Sequence, residues 1–443
     1  MSYQQYRKVA KEMIMAGVNA ADPTQAVLDS VKLSGQTLQV LEQEFDLNNY
    51  DRILLFGIGK AASPMGYALE QIITPDDGLL ITKLGPEIGE SQVKSVPVYK
   101  AYHPEPQEIN IEYTNKVLQK IEQLPPDSRS LIFFVISGGG SALFCAPPPG
   151  ISTKDMFCLN QLLMKCGANI HQINVIRKHI SRVKGGRFGQ ICSQKGATVI
   201  SLILSDVVGD DLSVIASGPT YKDYSSFADA IKLAKNFNIW DEMPQSIRQH
   251  LLKGLDDPTM EPPREIPANV HNHLIGNNLV ALKAAEKVAV QAGFNTMILS
   301  SQNTGEAKVI AKCLSGIAQE IQNSNLPIAP PAALIMGGEM VVTFNWEDRN
   351  GFGPNREFVL SSAIELAKRK NIVVAAADTD GVDGEGKSGA IADCRTVQRA
   401  ELDPQYYLDK HDAEIFFDSL GDSLQFSSFT NVNDINVILI GAK

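Results

Sequence analysis

Four apolar runs in the first half of the sequence each end in a loop rich in glycine, proline or aspartate. The clearest is "SRSLIFFVISGGGS" at 128–141, where an uninterrupted apolar run stops at Ser137 and three glycines follow. Such a run, bounded by turn residues, is typical of a strand buried on both faces, as in a parallel sheet. The other three runs end in "GIGKA", "YHPEP" and "LSDVVGDD". Because helical patterns lie between these strands, the sequence predicts an α/β fold with a mostly parallel sheet flanked by helices.

The length of 443 residues exceeds what one hydrophobic core usually serves, so two domains are predicted. The proline-rich, acidic segment at 253–270 marks the boundary and gives domains of 1–255 and 256–443. The first domain contains the predicted parallel sheet, and the second is expected to be another α/β domain because strand and helix patterns resume there. The first fifty residues are predicted to be helical, with Asp22 as a helix cap.

Composition excludes several classes of protein. A net charge of −10 argues against non-specific nucleic-acid binding, which needs a basic surface. No apolar run is long enough to span a bilayer, and the first residues lack the apolar core of a signal peptide. The six cysteines form no C-x-x-C pair, which disfavours zinc, and their scatter fits reduced thiols in a cytosol. We therefore expect a cytoplasmic protein with neither a nucleic-acid nor a membrane partner.

The loop after the clearest strand predicts an anion-binding site. In parallel α/β sheets, ligands bind beyond the carboxyl ends of the strands. Consecutive glycines let main-chain N–H groups converge on an anion, and flanking serines add hydroxyl donors. A tight turn under close packing is the alternative. The candidate residues of this loop are Ser137, Gly138, Gly139, Gly140 and Ser141.

The "GIGKA" loop and the "HPEP" loop carry further candidates. Gly57 and Gly59 precede Lys60, whose position at a helix start is unfavourable against the helix dipole unless an anion binds there. The loop also reads G-x-G-x-x-A, but a dinucleotide site needs an acid that closes the next strand. Asp76 and its neighbour precede that strand instead. In the second loop, His103 is the one histidine at a predicted strand end.

The segment "INVIRKHISRVKGGRFG" at 173–189 predicts one polar, cationic helix face that ends at two glycines. Such a face could bind phosphate or carboxylate, although cations near a helix C-terminus are often only partners of the helix dipole. The side chains with this spacing are Asn174, Arg177, Lys178, Ser181 and Lys184.

Aspartates follow two predicted strands in glycine-containing loops. Asp206 lies in "LSDVVGDD", and Asp378, Asp380 and Asp383 lie in "ADTDGVDGEG". Mg²⁺ commonly takes one or two carboxylates together with substrate phosphates, so these loops are candidate metal sites. Solvated turn aspartates are the alternative reading.

Several of these stretches occur together in a familiar order. "GIGKA", "YHPEP", "SGGGSALF", "INVIRKHISRVKGG", "LSDVVGDDLSVIASGPT", "IGNN", "MGGE", "TDGVDG" and "TNVND" resemble the glycerate 2-kinase family, also called the MOFRL family, from about residue 50 to the end. The resemblance implies a Rossmann-like N-terminal domain, a MOFRL-type C-terminal α/β domain and a site in the cleft between them. It further implies transfer of a phosphoryl group from ATP to the 2-hydroxyl of D-glycerate, with Mg²⁺ as the divalent metal.

The resemblance also assigns roles. Lys60 matches the catalytic lysine of the family, and a carboxylate substrate would need its own cation, for which Arg177 or Lys178 could serve. The expected catalytic residues are Lys60, Asp206 and Arg356, and the expected metal ligands are Asp206, Asp380 and Asp383. The expected nucleotide- or substrate-binding residues are Gly57, Gly59, His103, Ser137, Gly138, Gly139, Gly140, Ser141, Arg177, Lys178, Lys184, Glu339 and Asn355.

Two departures from the family pattern leave the acceptor open. The family form G-G-R-N-x-E reads "GPNRE" here, so that Pro354 stands in place of the arginine and Arg356 is a candidate to replace it. Phe426–Phe429 stands where the family has G-P-T-G. A nicotinamide-dependent hydroxy-acid reductase and a non-catalytic metabolite-binding protein remain alternatives, and a homo-oligomer remains open.

Overall fold

The computed structural model of the protein describes residues 2–85, 92–344, 351–428 and 430–442. The chain forms two compact units. We call Pro23–Ile275 the continuous unit, and Met1–Asp22 together with Gly276–Lys443 the split unit. The boundary predicted after residue 255 falls within a helix. Both units combine a sheet with helices, which confirms the predicted α/β class.

The first fifty residues are helical only in part. Helix α1 (Tyr3–Ala20) begins with a capping box between Ser2 and Gln5, and α2 (Pro23–Ser30) follows. The helical prediction is wrong after residue 30, because strands follow there, and in the second of them the side chains alternate, with Leu38 and Val40 buried. This period of two produces a three-stranded antiparallel sheet of β1 (Val31–Ser34), β2 (Thr37–Val40) and β3 (Gln43–Asp46).

The main sheet of the continuous unit has six strands. These are β4 (Arg52–Ile58), β5 (Asp77–Lys83), β6 (Val98–Ala101), β7 (Ser130–Ile136), β8 (Thr198–Leu204) and β9 (Val270–Gly276). They lie in the order β6-β5-β4-β7-β8-β9, and the first five are mutually parallel. Every residue of β7 is buried, as its continuous apolar run predicts. The carboxyl ends of β4, β7 and β8 are therefore neighbours.

Helices connect these strands. They are α3 (Ala62–Glu70), α4 (Glu108–Glu122), α5 (Gly140–Leu143), α6 (Thr153–Lys165), α7 (Ile170–His179), α8 (Arg187–Gln194), α9 (Phe227–Asn236) and α10 (Gln245–Asp256). Short 3₁₀ turns lie at Leu47–Asn49, Ile215–Ser217 and Pro258–Met260. Helices α6, α7, α9 and α10 share a second apolar cluster of the continuous unit around Leu159, Ile176 and Phe227.

The sheet of the split unit is mostly antiparallel, which the alternating pattern did not predict. Its strands are β10 (Asn295–Glu306), β11 (Ala332–Val341), β12 (Ile372–Asp378), β13 (Gly389–Asp393), β14 (Ser423–Leu424) and β15 (Asp434–Ile440). Their order is β10-β11-β15-β12-β13-β14, and of the described pairs only β10 with β11 is parallel. The last strand enters the middle of the sheet and pairs antiparallel with both neighbours.

The remaining helices of the split unit are α11 (Asn278–Gln291), α12 (Ala307–Ser324), α13 (Pro354–Leu366), α14 (Thr396–Arg399), α15 (Pro404–Asp409) and α16 (Ala413–Leu420). Helix α1 belongs to this unit: Met13 and Ile14 are buried, and Arg7 pairs with Asp393 and Asp422. None of the helices in the described ranges is both long and apolar enough to cross a membrane.

Candidate functional site

The loops after β4 and β7 are held together at the carboxyl edge of the parallel sheet. Ile58 and Ile136 are register partners at the ends of the two strands. Beyond them, the Lys60 amide donates to the Gly138 carbonyl at 2.8 Å, and the Ala61 amide donates to Ser137 Oγ at 2.9 Å. Ser137 is buried, and its hydrogen bond to Ala61 fixes the turn that carries Lys60, two residues before α3.

Two glycines of the second loop let three polar side chains approach its backbone. A Cβ at Gly138 would collide with the Asp206 carboxylate, which follows β8. Gly139 has φ +80°, and a Cβ there would lie 2.9 Å from His103 Cδ2 and 3.5 Å from Lys60 Cγ. Neither close approach is compatible with a larger residue. The loop therefore brings Lys60, His103 and Asp206 to one place.

Charge and burial set the protonation of this group. Burial, with the positive charges of Lys60 and Lys83, lowers the pKa of His103 to about 4. His103 is therefore neutral near pH 7. Burial raises the pKa of Asp206, and the attraction of Lys60 opposes that rise. A carboxylate whose pKa lies above its ordinary value, and which is beside a lysine, is suited to accept a proton from a hydroxyl group.

The other candidate glycines have packing roles. Gly57 lies inside β4, where a Cβ would collide with the Val135 side chain. Gly59, at φ +120°, lies against Ser137. A Cβ at Gly140 would come within 2.9 Å of Ala216 Cβ. Close packing thus accounts for the glycines at 57, 59 and 140, and for Gly140 it is the alternative that the sequence left open.

A polar network continues from Ser141. Its Oγ lies 2.7 Å from Ser217 Oγ, and Ser217 donates to Asn174 Oδ1 at 3.0 Å. Lys184 Nζ donates to the Ser141 carbonyl at 2.5 Å and to its Oγ at 3.1 Å. Ala216 and Ser217 have left-handed backbones at φ 50° and 60°, a strained conformation for residues with a side chain.

The predicted single helix face does not form. Helix α7 ends at His179, and Ser181 Oγ instead accepts from the amides of Val183 and Lys184, each at 3.2 Å, in a turn. The cations then separate. Lys178 pairs with Asp223 at 3.4 Å, whereas Arg177 donates to Asn160 Oδ1 at 3.0 Å. Residues that share a helical spacing in the sequence thus face different surroundings.

In the split unit, Asp383 holds the start of α13. Its Oδ1 accepts from the Asn355 amide at 3.0 Å and from Asn355 Nδ2 at 3.2 Å. Its Oδ2 accepts from the Arg356 amide at 2.9 Å and from Arg356 Nε at 3.1 Å. Asn355 also donates to Asp434 Oδ1 at 2.6 Å and accepts from Asn436. With these bonds Asp383 caps the first turn of α13, and its role as a metal ligand stays a prediction.

Arg356 is fully buried, at 0 % exposure. Besides Asp383 it binds Glu414, and its Nη2 donates to the carbonyls of Phe352 and Asp383 at 3.0 and 2.7 Å. Pro354 is the first residue of α13, a position that suits proline. The guanidinium of Arg356 is therefore used within the unit. These contacts support an anchoring role for it, rather than replacement of the family arginine at the position of Pro354.

Carboxylates crowd the ends of β12 and β15. Burial raises the pKa of Asp434 to about 7, and nearby Asp383 and Glu339 add to that rise. Burial, with the charges of Asp380 and Asp434, also raises the pKa of Asp378. Asp380 Oδ1 accepts from the Val382 amide at 2.8 Å. Across the described part of the chain, no three acidic, histidine or cysteine side chains are arranged to hold a metal ion.

The second departure from the family pattern lies against this loop. The Phe426 amide donates to Ser388 Oγ at 3.0 Å, and that hydroxyl donates to the Gly381 carbonyl at 2.8 Å. The segment from Phe426 is thus tied to the loop that carries Asp380. Phe429 lies outside the described residues.

Sequence reasoning missed three polar residues near Ser141. Ser217 lies in "IASGPT", at the end of the motif that begins with Leu204 and contains Asp206. Asn160 and Cys145 carry no spacing signal, and only the fold brings them beside Arg177 and Lys184.

Comparison with known proteins shows similarity over the whole chain. Residues 9–252 match a domain family of unknown function designated DUF4147, and residues 332–434 match the MOFRL family. The chain is 37% identical to a glycerate 2-kinase of Pyrococcus horikoshii, over 99% of this chain and 98% of the relative. It is 33% identical to a putative hydroxypyruvate reductase of Agrobacterium vitis, over 98% and 94%. The crystal structure of a glycerate kinase from Thermotoga maritima superposes with a TM-score of 0.85 at 34% identity, covering 99% of this chain and all of that one.

Proposed function

This chain belongs to the glycerate 2-kinase family, and we propose that it transfers the γ-phosphoryl group of ATP to the 2-hydroxyl of D-glycerate, giving 2-phosphoglycerate and ADP. The observation that carries the proposal is the arrangement around Gly138 and Gly139. A lysine and a half-buried carboxylate with a raised pKa lie against the backbone of a glycine loop at the carboxyl edge of a parallel sheet.

Each group has a proposed part in the reaction. Phosphoryl transfer depends mainly on positioning and on neutralising the charge of the transferred group. Lys60 neutralises phosphate oxygens. The hydroxyl oxygen of the acceptor attacks the γ-phosphorus, and the bond between this phosphorus and the leaving ADP breaks. Asp206 accepts the proton that the hydroxyl loses. His103 is neutral, so it acts as a hydrogen-bonding partner and not as a cation.

Mg²⁺ is proposed to enter with ATP. The described carboxylates offer no three-ligand metal site, and Asp383 is engaged by the start of α13. Mg²⁺ is commonly held by one or two carboxylates together with substrate phosphates. Asp206 is the proposed carboxylate of the continuous unit for the metal–nucleotide complex, whereas the metal role of Asp380 and the substrate role of Glu339 stay predictions from the sequence.

The reductase alternative has less support. A nicotinamide site needs an acid at the carboxyl end of the strand that follows the glycine loop. Here Asp76 Oδ2 accepts from the Ile53 amide at 2.7 Å, and Asp77 pairs with Lys120 at 2.7 Å. Both acids lie at the amino end of β5, on the opposite edge of the sheet from Gly59.

An ADP-release assay with D-glycerate, ATP and Mg²⁺ tests the proposal, and phosphorus NMR identifies the phosphorylated carbon. We expect Lys60→Met and Asp206→Asn each to lower kcat by about 10²–10⁴, the range for loss of a proton-transfer group or of a charge-stabilising donor. Lys120→Met and Asp210→Asn are the matched controls and should keep the wild-type rate.

Three results would contradict the proposal. They are a wild-type protein that releases no ADP with D-glycerate, one that instead oxidises NADPH with hydroxypyruvate, and Lys60 and Asp206 variants with normal kcat. A 3-phosphoglycerate product would contradict the assignment to the 2-hydroxyl.

A further inference from the structure

A small cavity lies beside Ser141 in the continuous unit. The prolines of the "HPEP" loop form one wall, and Cys145, Asn160, Arg177 and Lys184 face it from other segments. Its volume is about 40 Å³. A cavity needs about 10–15 Å³ to hold one water molecule, so this one has room for a few small groups. A carboxylate fits such a space, whereas a nucleotide does not.

The side chains of Arg177 and Lys184 bring two positive charges to this cavity. Lys184 is 4 % exposed, and among the described residues its ammonium donates only to oxygens of Ser141. Arg177 donates to the neutral amide of Asn160. Within the described residues, neither cation pairs with a carboxylate. Glu105, on the "HPEP" loop, is exposed and accepts from Gln161.

This arrangement costs free energy when the cavity holds no anion. Burial and the charge of Arg177 lower the pKa of Lys184 to about 8, and burial lowers the pKa of Arg177 as well. Buried charges are normally paired, because desolvation disfavours an isolated ion. A bound anion would reverse that cost, and the hydroxyl of Ser141 and the thiol of Cys145 are neutral donors beside it.

We infer that this cavity binds the carboxylate of the acceptor acid and that Arg177 and Lys184 are its two cations. The inference rests on the proposed function, for which it names the group that recognises the substrate. Lys178, the other cation that the sequence offered for this purpose, is already paired with Asp223. The structure therefore favours Arg177 over Lys178.

The position of the cavity gives the site its specificity. Ser141 is two residues from Gly139, whose backbone lies against Lys60 and His103. In a 2-hydroxy acid, the hydroxyl is on the carbon next to the carboxylate. An acid anchored beside Ser141 then presents this hydroxyl, rather than a more distant one, toward Lys60. The substrate class is short 2-hydroxy acids.

Calorimetric titration of D-glycerate into the nucleotide-free protein tests the inference. Arg177→Gln should weaken D-glycerate binding by about 30-fold, the effect expected when one partner of a hydrogen-bonded charge pair is removed. Arg177→Lys should recover part of the affinity. Arg182→Gln removes an exposed cation from the same stretch of chain and should stay within about twofold of wild type, as expected of a surface charge.

Kinetic readouts separate this role from a merely structural one. KM for D-glycerate should rise in Arg177→Gln while KM for ATP stays within about twofold, since the loss is confined to acceptor binding. Wild type should prefer D-glycerate to its neutral amide, and the variant should lose that preference. Lys184→Met provides a second variant, and thermal melting establishes that each variant is folded.

The outcomes distinguish this inference from the proposed function. A folded Arg177→Gln protein with wild-type affinity for D-glycerate overturns the inference even if the wild type is an active kinase. If KM for ATP rises instead of KM for D-glycerate, the cavity binds a phosphate of the nucleotide, and this result also overturns the inference. If the wild type binds D-glycerate through Arg177 but releases no ADP, the inference stands and the proposed function fails. A wild type that binds neither D-glycerate nor glycolate overturns the inference.

Discussion

At the residue scale, a cation's partner decides its role. Lys178 and Arg177 are adjacent in the sequence, yet Lys178 forms a buried pair with Asp223 and Arg177 donates to the neutral amide of Asn160. Arg356 likewise forms ion pairs with two carboxylates of its own unit, Asp383 and Glu414. Lys184, with no carboxylate partner among the described residues, carries the burial cost that a bound anion would relieve.

Lys184 should make the stability of the ligand-free protein depend on pH. Its pKa is about 8 in the folded protein, against an ordinary 10.5. Between these values the unfolded chain holds a proton that the folded protein has released, so the free energy of unfolding rises with pH. A pKa difference of this size corresponds to about 3 kcal/mol.

Urea unfolding of wild type and Lys184→Met at pH 7.5 and 9.5 measures this effect. Between these two pH values, wild type should gain about 2 kcal/mol more than the variant. Saturating D-glycerate should reduce the difference, because a bound anion favours the charged lysine. Burial raises the pKa of the Cys145 thiol and lowers that of Arg177, and both groups are present in wild type and variant alike. Equal gains in the two proteins would show that Lys184 titrates normally.

At the element scale, the loop after β7 performs several tasks in five residues. Ser137 fixes the Lys60 turn, Gly138 and Gly139 admit Asp206 and His103, and Ser141 binds Lys184. At the start of α13, one carboxylate likewise has two roles, because Asp383 caps the helix and also anchors the Arg356 side chain. The loop after β7 joins a strand to a helix, whereas the loop that carries Asp383 joins β12 to β13, and each fixes several side chains at once.

Gly139→Ala should separate the loop's contact from its backbone strain. Gly150 has a similar φ of +90° but nothing within 4 Å of its would-be Cβ, so Gly150→Ala is the matched control. Both variants should lose about 1 kcal/mol of stability, the order of cost of a left-handed backbone with a side chain. Only Gly139→Ala displaces His103 and should lower kcat/KM, by about tenfold or more, as misplacement of a site group does. Equal activities of the two variants would remove Gly139 from the site.

At the scale of the whole molecule, the chain does not divide at one point. Helix α1 belongs with residues from the second half, while α2 begins the continuous unit. Arg7 of α1 pairs with Asp393 and Asp422, far along the sequence. The split unit therefore needs both ends of the chain to complete its core.

Ile14→Ala tests this organisation. Ile14 is 1 % exposed in α1, and its truncation should cost about 2–5 kcal/mol. Hydrogen exchange followed by mass spectrometry should show faster exchange in β12 and β15, which α1 contacts. Val27→Ala, a buried aliphatic change in α2, is the control and should affect residues 23–275 instead. Loss of protection in the continuous unit for Ile14→Ala would contradict the assignment of α1.

The sequence by itself determined the strands of the parallel sheet and the loops that carry the candidate site. Continuous apolar runs identify buried strands wherever they fold, and the carboxyl ends of parallel neighbours meet at one edge. Lys60, the glycine loop and Asp206 could therefore be predicted to converge, and the family followed from the order of their motifs.

Tertiary structure alone decided the partners of the charged groups. Asp223 lies 45 residues from Lys178, and Asp383 lies 27 residues from Arg356. The spacing of residues along a helix contains no information about such distant partners. The same spacing predicted that the helix continues beyond His179, where the chain instead forms a turn. The antiparallel sheet of the split unit could not be predicted either, because its central strand, β15, comes from the end of the chain. Local pattern reports burial and period, whereas ion pairing and strand order depend on contacts between residues far apart in sequence.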